Sequence, residues 1–239
     1  MKSNIEVVSM TFKLFEELAS LDAKGVLLLV LGIAAAIVFV FVLLALRARH
    51  KKEGAVSGVG KRKTDVRALV YGALCLSLSF VLSYFKLFEL PMGGTVTLLS
   101  MLPVAAYAAV FGPVYGFTAA LAYSFLQVVQ GAYVVHWAQF LLDYTLGFTC
   151  LGLAALFPKK LPLGLAVAGF GRFVCSTLSG VIFFSAYAIE AGFQSAWLYS
   201  IAYNGSTIGT DTLLCVLVAL LPSVRRLLER MKPATEARV

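Results

Sequence analysis

The stretch HWAQFLLDYTLGFTCLGLAALF, residues 136–157, sets a carboxylate, Asp143, beside a phenol, Tyr144, inside an otherwise apolar, membrane-length segment. An ionised side chain in hydrocarbon costs ~2.5–3.5 kcal/mol on insertion scales, so it persists where it is paired or used. At a rise of about 1.5 Å per residue, the pair lies ~10 Å below the outer end of its helix. Tyr133, His136 and Trp137 precede it at the interface. The last apolar segment opens SAWLYSIAYNGSTIGTD and brings Tyr199, Tyr203, Asn204 and Ser206 to comparable depth. The segment before it, through CSTLSGVIFFSAY, adds Ser176, Gly180 and Phe184. Aromatic faces, an amide and one carboxylate thus converge on the outer half of three helices. An apolar pocket with a few convergent polar groups is the usual form of a small-molecule site. Ring faces attract a desolvated cation by ~2 kcal/mol or more, and a carboxylate supplies countercharge and an acceptor. Lys86 is the one outer-side cation between residues 64 and 239, and it belongs to a loop. Asp143 is therefore left to answer a cationic or amine-bearing ligand. Other residues have plainer readings: Trp137 and Trp197 suit an interfacial aromatic belt, and Asn204 serves equally as a bridge between helices.

A second polar pair reads as scaffold. Arg172 and Asp211 each sit roughly ten residues from the inner end of their helices, so their depths match, and a buried ion pair is the simplest way to carry both charges. Asp143 and Asp211 fall in opposite leaflet halves. That argues against an intramembrane aspartyl enzyme, which needs both acids at one depth. His50 and His136 are the only histidines, too few for a His-rich metal site, and Cys75, Cys150, Cys175 and Cys215 all lie within apolar segments with no Cys-x-x-Cys spacing. GAVSGVGKRK lacks both the first glycine and the Ser/Thr of a phosphate-binding loop. No cofactor is expected, and any ATP is hydrolysed elsewhere.

The elements that position these residues follow from composition. The chain is 60% hydrophobic and 13% charged, which describes a polytopic membrane protein. Runs able to cross ~30 Å of hydrocarbon fall near 25–46, 66–87, 97–112, 115–131, 137–157, 163–189 and 196–221. The first is too long and too poorly flanked for a cleaved signal peptide. Most Lys and Arg cluster at 47–67, at Lys159–Lys160 and at 225–238. With alternating spans these loops share one side, which makes them cytoplasmic by the positive-inside rule. The net charge of +8 therefore answers the membrane surface rather than nucleic acid. The expected organisation is an outer N-terminal arm (1–24), an extra transmembrane helix (25–46), a basic cytoplasmic linker (47–63), a six-helix membrane domain (64–222) and a basic cytoplasmic tail (223–239). Small residues at Ala68/Gly72 and Ala73/Ser77 on the 66–87 helix have the spacing that lets another helix approach closely. They fit packing inside the bundle or docking of a partner.

Four stretches together resemble a known family: SYFKLFELPMGGTVTLLSMLPV, GAYVVHWAQFLLDYTLGFTCLGLAALF, GRFVCSTLSGVIFF and WLYSIAYNGS, covering about 66–222. They are similar to the thiamine-specific substrate-binding (S) components of energy-coupling factor (ECF) transporters. The resemblance implies an all-α, six-helix membrane bundle that binds thiamine without ATPase activity and docks onto a transmembrane coupling protein driven by two cytoplasmic ATPases. It implies ligand contacts at Tyr133, Asp143, Tyr144, Gly180, Phe184, Tyr199 and Asn204, with Ala73 and Ser77 on the docking face. Phe184 stands where the family often has Trp, Ser176 where it usually has His, and the extra N-terminal span departs from the six-helix pattern. A permanently cationic thiazolium and a flat aminopyrimidine suit Asp, Tyr, Phe and Asn. The rivals are an S component for another vitamin or a thiamine precursor and, from a different class, a membrane scaffold that binds no small molecule.

Overall fold

A computed structural model describes residues 66–90 and 93–231. The arm, the extra helix and the linker expected over 1–63, and the last residues of the tail, lie outside the described residues. Within them the chain is an all-α membrane bundle with one small hairpin. Helix α1 is Val66–Ser83. Strands β1 (Lys86–Glu89) and β2 (Thr95–Thr97) come next as an antiparallel pair, with Lys86 opposite Thr97, Glu89 opposite Thr95 and a register shift between Lys86 and Phe88. They occupy what reads in the sequence as an outer loop. Beyond them lie α2 (Met101–Phe111) and α3 (Pro113–Gly131). The composite helix α4 spans Trp137–Leu156, α5 is Leu161–Phe183 and α6 is the short Ser185–Glu190. Helix α7 spans Ala196–Ala219, and α8, Pro222–Met231, leaves it at 80°.

Helix α2 is the centre of the bundle. The span expected at 97–112 shortens to these eleven residues because β2 and a left-handed residue, Leu99 (φ 62°), consume its start. Pro103 through Ala109 are all buried, so the helix is apolar all round, as a helix enclosed by others must be. Gly112, at φ 87°, turns the chain, and Pro113 opens α3 at a position where its missing N–H costs nothing. Helices gain little from burying apolar surface when lipid is the alternative, so close contact through small residues holds the bundle. A Cβ on Gly116 would stand 2.6 Å from that of Ala108, which is how near α3 lies to α2. The Ala68/Gly72 pair also faces inward: Gly72 rests on the Tyr107 ring, and the Tyr107 hydroxyl donates to the Ala68 carbonyl at 2.9 Å. Ala73 and Ser77 point out of the bundle and are exposed.

Two spanning helices are not uniform. Helix α4 starts as α-helix at Trp137–Phe140, widens to π-helix over Leu141–Leu146, and ends as 3₁₀-helix over Cys150–Leu156. Helix α7 is α-helical to Asn204, π-helical over Gly205–Gly209 and α-helical again from Thr210. A π segment widens the turn, rotates the side chains beyond it and is frequent at functional sites. The long span expected at 163–189 breaks at Phe184, where the backbone leaves the helical region (φ −118°, ψ 18°) before α6 begins.

Candidate binding site

Asp143 lies on the π segment of α4, facing α5. Its Oδ2 accepts from Gln139 Nε2 at 2.8 Å, one turn earlier on its own helix, and from Ser179 Oγ at 2.8 Å across the interface. Ser176, one turn before Ser179 on α5, lines the same cavity. The carboxylate is thus aimed by neutral donors, which fix it without neutralising it. Gln139 is buried and also donates to the Tyr133 carbonyl at 3.2 Å, tying the carboxylate to the loop before α4. The Tyr144 hydroxyl accepts from the Tyr133 N–H at 2.8 Å, a second tie to that loop. His136 caps α4, its Nδ1 accepting from the Ala138 N–H at 3.1 Å.

Aromatic rings form the outer wall. Tyr133 lies 6.2 Å from Phe184 between ring centroids, and its hydroxyl is 3.3 Å from that of Tyr187 on α6. Across the opening, Tyr199 and Tyr203 of α7 lie one turn apart with ring centroids 5.8 Å from each other. The Tyr203 hydroxyl accepts from the Gly94 N–H at 2.8 Å and pins the hairpin over the site. Gly94 has no side chain because a Cβ there would overlap that hydroxyl. Gly180 has the same logic: a Cβ would stand 2.6 Å from Ser200 Oγ, so this glycine lets α7 close against α5. Asn204 donates to the Ser200 carbonyl at 3.0 Å.

These residues surround one cavity, with about 180 Å³ that water-sized molecules can reach. Tyr133, Asp143, Tyr144, Gly180, Phe184, Tyr199 and Asn204 all line it. Ser206 turns outward and donates to the Tyr203 carbonyl at 2.8 Å. The cavity also reaches deeper than helix counting places it. Arg172 and Asp211, which read as scaffold away from the site, line its floor, with Arg172 Nη1 4.0 Å from Asp211 Oδ2. Asp211 also accepts from Thr97 Oγ1 at 3.1 and 3.3 Å, and the Arg172 guanidinium lies 4.1 Å over the Phe148 ring. Arg172 interacts electrostatically with Asp143 as well. The reading of Asp143 as a carboxylate remote from any cation is therefore corrected: Arg172 shares its cavity, already engaged by Asp211. Lys86 is also corrected, from a loop residue to a strand residue that lines the cavity while paired to Glu89 at 2.9 Å. Both carboxylates border one cavity, and the engagement of Asp211 by Arg172 and Thr97 adds to the argument against an aspartyl enzyme.

Gln139, Ser179 and Thr97 were missed in the sequence. Gln139 had a signal, because a glutamine four residues before an aspartate shares its helix face. Thr97 and Ser179 had none, since only the packing of separate elements brings them in.

The family described as thiamine transporter protein (Thia_YuaJ) matches residues 69–229. The thiamine transporter ThiT of Bacillus subtilis (strain 168) is 26% identical over 150 residues, covering 56% of this chain and 77% of that protein. The solved structure of ThiT from Listeria monocytogenes overlays with a TM-score of 0.58 at 23% identity, covering 70% of this chain and 97% of that one, a likeness of fold. The matched stretch takes in α4, α5 and α7 with every cavity residue they carry, and the chain belongs to the thiamine transporter family, multi-pass membrane proteins that are not enzymes.

Proposed function

We propose that this protein is the membrane-embedded thiamine-binding component of an ECF-type uptake transporter, and that Asp143 is the group that recognises the cation. The observation that carries this reading is a carboxylate held by two neutral donors, Gln139 and Ser179, in a cavity walled by tyrosine and phenylalanine rings. Thiamine is a permanent thiazolium cation joined to a flat aminopyrimidine. Tyr133, Phe184 and Tyr199 offer ring faces to it, Asp143 offers countercharge and an acceptor, and Tyr144 and Asn204 offer hydrogen bonds to the pyrimidine edge. Gly180 acts by letting α7 approach.

The chain releases its cargo through partners. The exposed Ala73 and Ser77 of α1, flanked by Leu74 and Leu78 at 60% and 52% exposure, form the face for a transmembrane coupling protein driven by two cytoplasmic ATPases. The C-terminus and the basic loops are cytoplasmic, the N-terminus is outside, and the cavity opens outward. Equilibrium titration of the purified protein with thiamine, and with its pyrimidine and thiazolium halves separately, tests the ligand. Thiamine should bind more tightly than either half. A pyrimidine half that binds as tightly as thiamine would point to a precursor as the cargo, and no binding of any of them would leave a scaffold.

A further inference from the structure

A second cleft lies at the end of the bundle where α5 begins and α7 ends, apart from the site cavity. It holds about 600 Å³ and is lined by Lys159, Lys160, Leu163, Leu220, Arg225 and Glu229, among others. Two kinds of surface meet there. Leu163 and Leu220 are 44% and 63% exposed at the ends of membrane-crossing helices, where a bare leucine faces acyl chains. Three cations and one acid stand beside them. Arg225 Nε is 3.9 Å from Glu229 Oε1, and among the described residues no carboxylate lies within ion-pair distance of Lys159 or Lys160. Helix α8, which forms one wall, turns 80° away from α7 across the end of the bundle. Its Val224 and Leu228 pack on the core and Met231 is buried, while Arg225, Arg226 and Arg230 are exposed. A helix at that angle with an apolar inner face and a basic outer face has the build of one lying in the membrane interface.

We propose that this cleft binds an anionic glycerophospholipid, its phosphate held by Lys159, Lys160 and Arg225 and an acyl chain lying along Leu163 and Leu220. Charge complementarity and the adjoining apolar strip favour a lipid: the cleft keeps a net positive charge after Glu229 is counted, and a soluble anion would make no use of the leucines. Basic residues near an anionic bilayer surface each contribute about five-fold in affinity. The proposal is independent of what the main cavity binds.

The test uses the full-length protein in detergent, with dioleoyl phosphatidylglycerol or dioleoyl phosphatidylcholine added, read by lipid retention in native mass spectrometry and by the thermal unfolding midpoint. Phosphatidylglycerol should be retained in preference and should raise the midpoint. The triple variant Lys159→Gln, Lys160→Gln, Arg225→Gln should lose at least about ten-fold of that preference. Glu229→Gln, which deletes no packing, should increase it and so gives a test of opposite sign should the triple variant fold poorly. Thiamine titration should be unchanged in both, since none of these residues lines the main cavity. Equal retention of the two lipids by the parent protein, or an undiminished preference in the triple variant, overturns the proposal. Soluble glycerol phosphate competing as well as the lipid would also overturn it, by showing a phosphate site without a lipid.

Discussion

Asp143→Asn changes a charge and little else. Gln139 and Ser179 both donate to a single oxygen, Oδ2. An asparagine can keep its carbonyl oxygen at that place, retain both hydrogen bonds and turn its amide to the cavity. What disappears is the countercharge for a bound cation, and an NH₂ group replaces an acceptor. Removing one member of a desolvated charge pair costs ~2–5 kcal/mol. With the hydrogen bonds preserved and the field of Arg172 largely offset by Asp211, about 3 kcal/mol is the expected loss, or roughly 150-fold in Kd. The fold should not suffer, because an amide costs less to bury than a carboxylate when the cavity is empty. Isothermal titration of thiamine into the purified variant reads the first effect, and thermal unfolding without ligand reads the second. If Asp143→Asn binds thiamine within about three-fold of the parent, a span worth only ~0.7 kcal/mol, the carboxylate does not recognise the cation and the site assignment fails.

Three other perturbations separate site, scaffold and docking face. Arg172→Gln or Asp211→Asn alone should destabilise the protein by roughly 3 kcal/mol through the stranded partner, and the double variant by much less than the sum; additive losses in detergent unfolding would show the two are not energetically paired. Gly180→Ala should force α7 away from α5 at a cost of ~1–3 kcal/mol and weaken thiamine binding. Ser200→Gly in the same chain should restore both, and a Gly180→Ala variant with parental stability and affinity would show that the close approach is not needed. Ala73→Trp or Ser77→Leu should block assembly with the coupling proteins while thiamine titration stays parental; normal co-purification of the complex would return that face to the lipid.

Asp143 was legible in the sequence because its signal is local. A charge inside an apolar, membrane-length run is costly wherever the run ends up, and Tyr144, the next residue, shares its depth by helical rise alone. The all-α membrane class was legible for a similar reason, since the spacing of apolar runs needs no knowledge of how helices pack. The partners of Asp143 were harder to read. Counting residues from helix ends assumes straight, uniform α-helices, and α4 changes from α to π to 3₁₀ along its length while α7 carries a π segment of its own. Each change alters the rise and rotates the rest of the helix, so equal counts stop meaning equal depths. Asp211 follows the π segment of α7, and Arg172 comes from the uniform helix α5, so it is the packing of α5 and α7 against α4 that sets both on the cavity of Asp143. The sequence alone determined which residues carry charge and ring faces and roughly how deep each helix holds them. The tertiary structure decided which of them meet, because Thr97 and Arg172 reach the same cavity, and Ser179 reaches Asp143, only through the packing of a hairpin and three helices that lie far apart along the chain.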